Sequence, residues 1–248
     1  MTQFSRTGRL VGVGVGPGDP RHLTLKAIDA LSGADRVVAP STAPDAVGRA
    51  EAILRQAMPE LKIDRLVFNM ASDGQPGGKH ARESSHRKAA EHLLGWLDAG
   101  ETIAFATLGD PNLYSTFSSL ASAVNALRPG TLITTIPGIT AFQDLASRTG
   151  TVLLDGTQSL TLVTALDGPR AVEAALRDPS RALVVYKGGR YLSAIRLLLE
   201  ESGRLEGAVA GELLGLPGER VGDLGELASS GPAAYLVTVI VPPGPDRT

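Results

Sequence analysis

The sequence predicts an α/β protein built as two α/β domains, and three observations lead there. At 248 residues the chain holds one large core or two modest ones, since domains of about 100 to 150 residues are the commonest size. Apolar residues make up 43% and aromatics only 4%, which suits helices packed on strands better than a β-sandwich. Short apolar runs also alternate with segments of helical period, the pattern of a mainly parallel sheet.

Taken in order, Leu10 to Val15 is an apolar, β-branched run ending at Gly16-Pro17-Gly18-Asp19-Pro20, a dense turn signal. Asp19 then Pro20 has the form of a helix N-cap with proline at the first position, and Leu23, Ala27, Ala30 and Leu31 keep helical spacing up to Gly33, so a helix is expected over 21–32. Strands follow at 36–39 and 61–68, with an amphipathic helix at 46–58 between them. A polar loop at 71–78 precedes a long helix with Ala89, Leu93, Leu94 and Leu97 on one side, closed by Gly100. The strand Thr102 to Thr107 runs into Leu108-Gly109-Asp110-Pro111, and a helix with Leu120, Val124 and Leu127 comes next. A strand at 131–136 breaks at Pro137-Gly138, with a short helix over 140–147 behind it. The first domain is expected to occupy 1–150 and the second 151–248. The second domain has strands at 160–164, 182–186, 208–212 and 235–241, and helices at 171–177 and 191–201. The Pro-rich end from Pro242 reads as frayed.

Composition removes several function classes. Lys and Arg number 24 against 26 Asp and Glu, a net charge of −2, so no global field draws in nucleic acid. With no cysteine there is no disulfide framework, thiolate metal site or cysteine nucleophile. The polar N-terminus and the lack of any apolar run near about 18 residues leave no signal peptide or membrane span visible, and a cytoplasmic protein is expected.

The glycine-rich run Gly12-Val13-Gly14-Val15-Gly16-Pro17-Gly18 tempts a dinucleotide reading, but counting from Gly14 the sixth place is Asp19, a carboxylate where a pyrophosphate belongs. The alternative is a tight strand-to-helix turn. No Walker pattern is present, because Gly78-Lys79 is followed by His80. His80, His86 and His92 stand six apart, a turn of about 240° on a helix, so they share no ligand face. No metal site and no Gly-x-Ser-x-Gly elbow is expected.

Four signatures then occur in order between Val13 and Thr140: Val13-Gly14-Val15-Gly16-Pro17-Gly18-Asp19-Pro20, Leu23-Thr24-Leu25-Lys26-Ala27, Leu108-Gly109-Asp110-Pro111 with Tyr114-Ser115-Thr116, and Pro137-Gly138-Ile139-Thr140. Together they resemble the tetrapyrrole (corrin/porphyrin) methylase family, and Tyr186-Lys187-Gly188-Gly189-Arg190 and Leu216-Pro217-Gly218-Glu219 carry the resemblance through the second half. Within the family the motifs are most similar to the precorrin-2 C(20)-methyltransferase branch. Asn69 and Tyr186 depart from the Phe-Pro-Met and Met-Lys that this branch often shows.

The resemblance implies two α/β domains with S-adenosylmethionine in a cleft between them, a tetrapyrrole substrate and a homodimer. It implies cofactor contacts at Leu108, Gly109, Asp110, Leu113, Thr140, Ala141, Tyr186, Lys187 and Glu212, and substrate contacts at Pro17, Gly18 and Tyr114. Asp110, Tyr114 and Glu212 are candidate bases, with turn capping the competing role for Asp110. A substrate rich in carboxylates calls for cations, and the densest basic stretch holds Lys79, His80, Arg82, His86, Arg87 and Lys88; Lys79, Arg82 and Arg87 are expected to contact it. A solvated helix start is the alternative there, and Arg6 and Arg9 are weaker candidates. Other readings stay open: a sibling enzyme acting on cobalt-precorrin-2 or another ring position, a non-catalytic nucleotide-binding module, and methylation of ribosomal RNA.

Overall fold

In the computed structural model, which describes residues 7–68 and 78–244 apart from the Lys79 side chain, the chain divides into two units, 1–140 and 141–248. Arg6, Asn69, the expected polar loop up to residue 77 and the last four residues lie outside the described residues.

Among the described residues, the first unit is built on five strands: β1 (Arg9–Gly14), β2 (Arg36–Ser41), β3 (Asp64–Val67), β4 (Thr102–Thr107) and β5 (Leu132–Ile136). They lie in the order β3-β2-β4-β1-β5, and every pair is parallel. Parallel strands need crossovers, which cover both faces with helices: α1 (Leu25–Ser32) and α2 (Arg49–Ala57) on one, α3 (Gly78–Asp98) and α4 (Thr116–Leu127) on the other. The period-two alternation of a strand is visible in β1, where Val11 and Val13 pack with Leu31, Ile53 and Leu54 while Leu10 packs with Leu93, Leu97, Phe105 and Phe117. Each fully buried side chain of this size contributes about 1.5–3 kcal/mol. Gly12 is glycine because a Cβ there would come within 2.4 Å of the Phe117 ring.

The helix expected over 21–32 is two pieces. Asp19 caps a single 3-10 turn, Pro20–His22, by accepting from the Arg21 amide (2.9 Å). Thr24 then starts α1 afresh, its hydroxyl accepting from the Ala27 amide (3.1 Å). A second capping side chain inside the expected helix offers the backbone an alternative to continuing, and the chain takes it.

The second unit begins with α5 (Ala141–Thr149) and continues through β6 (Leu160–Thr164), α6 (Arg170–Leu176), β7 (Ala182–Tyr186), a 3-10 turn at Gly189–Tyr191, α7 (Leu192–Glu201), β8 (Val209–Glu212), β9 (Arg220–Asp223), α8 (Leu224–Ser229) and β10 (Val237–Val241). The order is β6-β7-β10-β8-β9. β6 and β7 are parallel, β10 is antiparallel to both β7 and β8, and β8 pairs antiparallel with β9. The division falls after Thr140, ten residues before the boundary read from sequence, because α5 sets Leu145 and Ala146 against Val184, Leu214 and Ile240. β9 and α8 escape the pattern reading: Arg-Val-Gly-Asp carries one large apolar residue, and α8 is only six residues long.

The start of the expected frayed tail is held. Buried Arg204 donates to the carbonyls of Arg181 (2.9 Å) and Pro242 (2.6 Å), and Gly244 N–H donates to Pro179 (2.8 Å).

Candidate functional site

In a parallel sheet all carboxyl ends of the strands share one edge. From β1 the chain turns to the α1/α2 face and β2; from neighbouring β4 it turns to the α4 face and β5. Where two adjacent strands send their loops apart, a crevice opens. The loops after β1, β4 and β5 meet there and are fastened to one another.

Backbone makes the first fastening. Gly109 N–H donates to Gly16 carbonyl (2.8 Å) in an isolated bridge, with Gly16 at φ 78° and Gly109 at φ 68°, the left-handed region that glycine enters without strain. Gly138 approaches so closely that a Cβ on it would lie 2.2 Å from Gly109 carbonyl oxygen and 2.8 Å from Gly14 Cα. Side chains make the rest. Asp110 Oδ2 accepts from Gly138 N–H (3.0 Å) and Oδ1 from Asn112 N–H (2.8 Å), so one carboxylate ties the β4 loop to the β5 loop. Asn112 adds a second tie, donating from Nδ2 to Thr135 Oγ1 (3.1 Å). Ser115 caps α4 through Phe117 N–H (3.0 Å) and bonds the Thr107 hydroxyl (2.8 Å).

Leu108, Gly109, Asp110, Leu113, Tyr114, Pro17, Gly18 and Thr140 thus all lie on these three loops. Pro17 and Gly18 are buried. Tyr114 sits at φ 48°, an uncommon conformation for a bulky residue, with 46% of its surface exposed. On the same loop as Pro17, Asp19 is held at a pKa of about 2 by the forked hydrogen bond from the Arg21 guanidinium, which outweighs desolvation, so it is a fixed negative charge.

The basic stretch opens α3, and its members are not alike. Arg87 is exposed and pairs with Glu91 (3.1 Å). Arg82 is partly buried, its carbonyl accepting from His86 Nδ1 (2.7 Å). His86 itself is 7% exposed against the Phe68 ring, so it faces the core. Arg9 stands at the opposite edge of the sheet, at the amino end of β1, with Nε on Thr102 Oγ1 (3.1 Å), too far along the strands to join these loops.

Within the second unit the remaining expected residues also converge. β7 and β8 flank β10, with Thr238 paired to Tyr186 on one side and Gly211 on the other, so Tyr186, Lys187 and Glu212 end at one edge. Lys187 (φ 58°) and Leu213 (φ 52°) both leave their strands through left-handed backbone. Phe142 N–H, in the first turn of α5, donates to the Tyr186 hydroxyl (3.2 Å), which brings Ala141 to the same edge. Glu212 is 5% exposed, its carboxylate paired with Arg220 and accepting from Ala234 N–H.

Asn112, Thr135, Arg220 and Phe142 are participants that the sequence reading passed over. Asn112 follows a proline in a turn motif and was detectable as a turn polar residue; the other three carry no local signal. Among the described residues no group of three or more His, Asp or Glu is placed to hold a metal ion, and no helix is long and apolar enough to cross a membrane.

The family model for Tetrapyrrole (Corrin/Porphyrin) Methylases matches residues 9–228. The chain is 33% identical to the precorrin-2 C(20)-methyltransferase of Sinorhizobium sp, covering 97% of each chain. It is 28% identical to the cobalt-precorrin-2 C(20)-methyltransferase of Salmonella typhimurium, covering 94% of this chain and 96% of that one. Its fold matches the Thermus thermophilus uroporphyrin-III C-methyltransferase solved with S-adenyl homocysteine, at a TM-score of 0.63 and 21% identity over 95% of this chain and 92% of that one. With the signature loops assembled at one sheet edge and a family match spanning most of its length, the chain belongs to the tetrapyrrole (corrin/porphyrin) methylases.

Proposed function

We propose that the chain transfers a methyl group from S-adenosylmethionine to carbon 20 of precorrin-2, giving precorrin-3A and S-adenosylhomocysteine. The observation that carries this reading is the fastening of the β1, β4 and β5 loops through Gly16, Gly109, Asp110 and Gly138; the near full-length likeness to C(20)-methyltransferases supports the choice of ring position. The backbone suits a close-bound cofactor at Gly109, where a Cβ would meet nothing within 4 Å and the main chain is bare toward open space.

The sulfonium donor arrives already activated, so the protein's task is mainly orientation, for which well-aligned groups supply a large share of the barrier reduction. Leu108, Gly109, Asp110, Leu113, Thr140, Ala141, Tyr186, Lys187 and Glu212 are proposed as the cofactor-binding residues. Asp110 serves as a brace, since each of its oxygens already accepts a main-chain N–H. Glu212 is spoken for by Arg220 and Ala234 and belongs to the framework. Of the candidate bases that leaves Tyr114, half exposed on the β4 loop, to meet the substrate with Pro17 and Gly18. Lys79, Arg82 and Arg87, at the start of α3, are proposed to meet the substrate's carboxylates. The working form is proposed to be a homodimer in the cytoplasm.

The test is incubation with methyl-labelled S-adenosylmethionine and precorrin-2, with and without cobalt, with mass spectrometry and NMR of the product. One added methyl at carbon 20 is expected. The Salmonella relative acts on the cobalt form by name, and preference for cobalt-loaded substrate in this assay would move the chain to that reaction. Cofactor binding without transfer to either substrate would remove precorrin-2 as the substrate.

A further inference from the structure

We propose that Tyr186 is a positioning residue, whose hydroxyl fixes the start of α5 and thereby the cofactor-binding geometry of the second unit. The proposal rests on the reading above that S-adenosylmethionine is held at Ala141.

The first turn of any α-helix leaves N–H groups without an intrahelical partner. Phe142 is the second residue of α5, and its N–H goes to a side chain more than forty positions away, the Tyr186 hydroxyl, at 3.2 Å. That acceptor is held on several sides. Tyr186 is the last residue of β7, paired with Thr164 of β6 and Thr238 of β10, and its carbonyl accepts from Ala165 N–H (2.9 Å). The chain beyond it is equally constrained. Lys187 takes a left-handed turn at φ 58°, and a Cβ on Gly189 would lie 1.7 Å from Ala234 carbonyl oxygen. The two rings meet edge to face, 6.4 Å apart at 75°, a favoured aromatic arrangement. Farther along α5, Leu145 and Ala146 are packed on Val184 and Ile240, so the body of the helix is anchored by apolar contacts. Its first turn is where the hydroxyl acts.

A phenylalanine at 186 keeps the ring contact and removes the acceptor. For Tyr186→Phe we expect S-adenosylhomocysteine to bind about three- to tenfold more weakly by calorimetry, the range that one net hydrogen bond commands. The KM for S-adenosylmethionine should rise equally, with kcat and the KM for the tetrapyrrole unchanged. Hydrogen exchange gives the readout that separates positioning from other roles. The Phe142 amide should be protected in the cofactor-free wild type and lose that protection in the variant, while Val184 and Val239 amides in the sheet keep theirs.

Weaker binding with Phe142 still protected would mean that the hydroxyl touches the cofactor directly, and would overturn the proposal. Unchanged binding would overturn it too, whatever the Phe142 amide does, and so would lost protection at Val184 and Val239, the mark of a merely structural role. If the wild type itself binds neither S-adenosylmethionine nor its product, the functional reading fails first and takes this inference with it.

Discussion

All strands of the first unit point one way; in the second, β6, β7 and β8 run against β9 and β10. The consequence is where loops accumulate and how they are held. A parallel sheet delivers every strand-to-helix loop to one edge, and there the first unit uses glycine backbone at near-contact distance, with Asp110 and Asn112 as ties. The mixed sheet spreads its connections over both edges, and the second unit fastens them with buried charge: Glu212 with Arg220, and Arg204 with two carbonyls. The first arrangement is sensitive to volume, the second to charge.

That contrast can be broken by substitution. The largest effect is expected from Gly138→Ala, whose methyl would have to displace Gly109 carbonyl oxygen. A shift of about 1 Å in a positioning loop costs on the order of 10²-fold in kcat/KM. The second unit's amide exchange should be untouched; near-normal activity would show that loop packing is not what places the reactants. Next comes Glu212→Ala. Removing one member of a buried pair costs about 3–5 kcal/mol, and with Arg220 a third exposed about 2 kcal/mol is expected in urea unfolding. If stability held and an acidic limb vanished from the pH-rate profile instead, Glu212 would be a base after all.

The smallest effect sharpens the comparison from inside the first unit, which among the described residues has one fully buried carboxylate of its own. Glu51, 0% exposed on α2, receives Arg55 and Arg65. The Arg65 hydrogen bonds, aided by Arg55 against the pull of burial, hold its carboxyl below the ordinary 4.5. Because the folded value is the lower one, this stabilisation is complete above pH 4.5 and fades as pH falls through the folded value. Melting curves of wild type and Glu51→Gln should therefore differ at pH 7 and converge on acidification, with kcat/KM at pH 7 unchanged. A difference that persists undiminished at low pH would remove charge from the explanation.

Much of this architecture was legible because it is written locally. β4, β6 and β7 fall where their apolar runs predict, and Gly16, Gly109 and Asp110 announce turns by residue type. What stayed hidden depends on partners distant in sequence. Nothing around Glu212 says that Arg220 and Ala234 enclose it, nothing near Phe142 says that a tyrosine from β7 takes its amide, and β9 owes its existence to pairing with β8 rather than to its own composition. Splitting the expected first helix had a local signal, Thr24, which was outweighed by an apolar period running through it.

The packing of α5 has a consequence for how the chain leaves the ribosome. A polypeptide that starts at residue 151 would lack Leu145 and Ala146 and leave Val184, Leu214 and Ile240 without their cover. Such a contiguous greasy surface on strands invites self-association. During synthesis the second sheet is completed only when β10, the strand between β7 and β8, has emerged, so α5 waits nearly a hundred residues for its full seat.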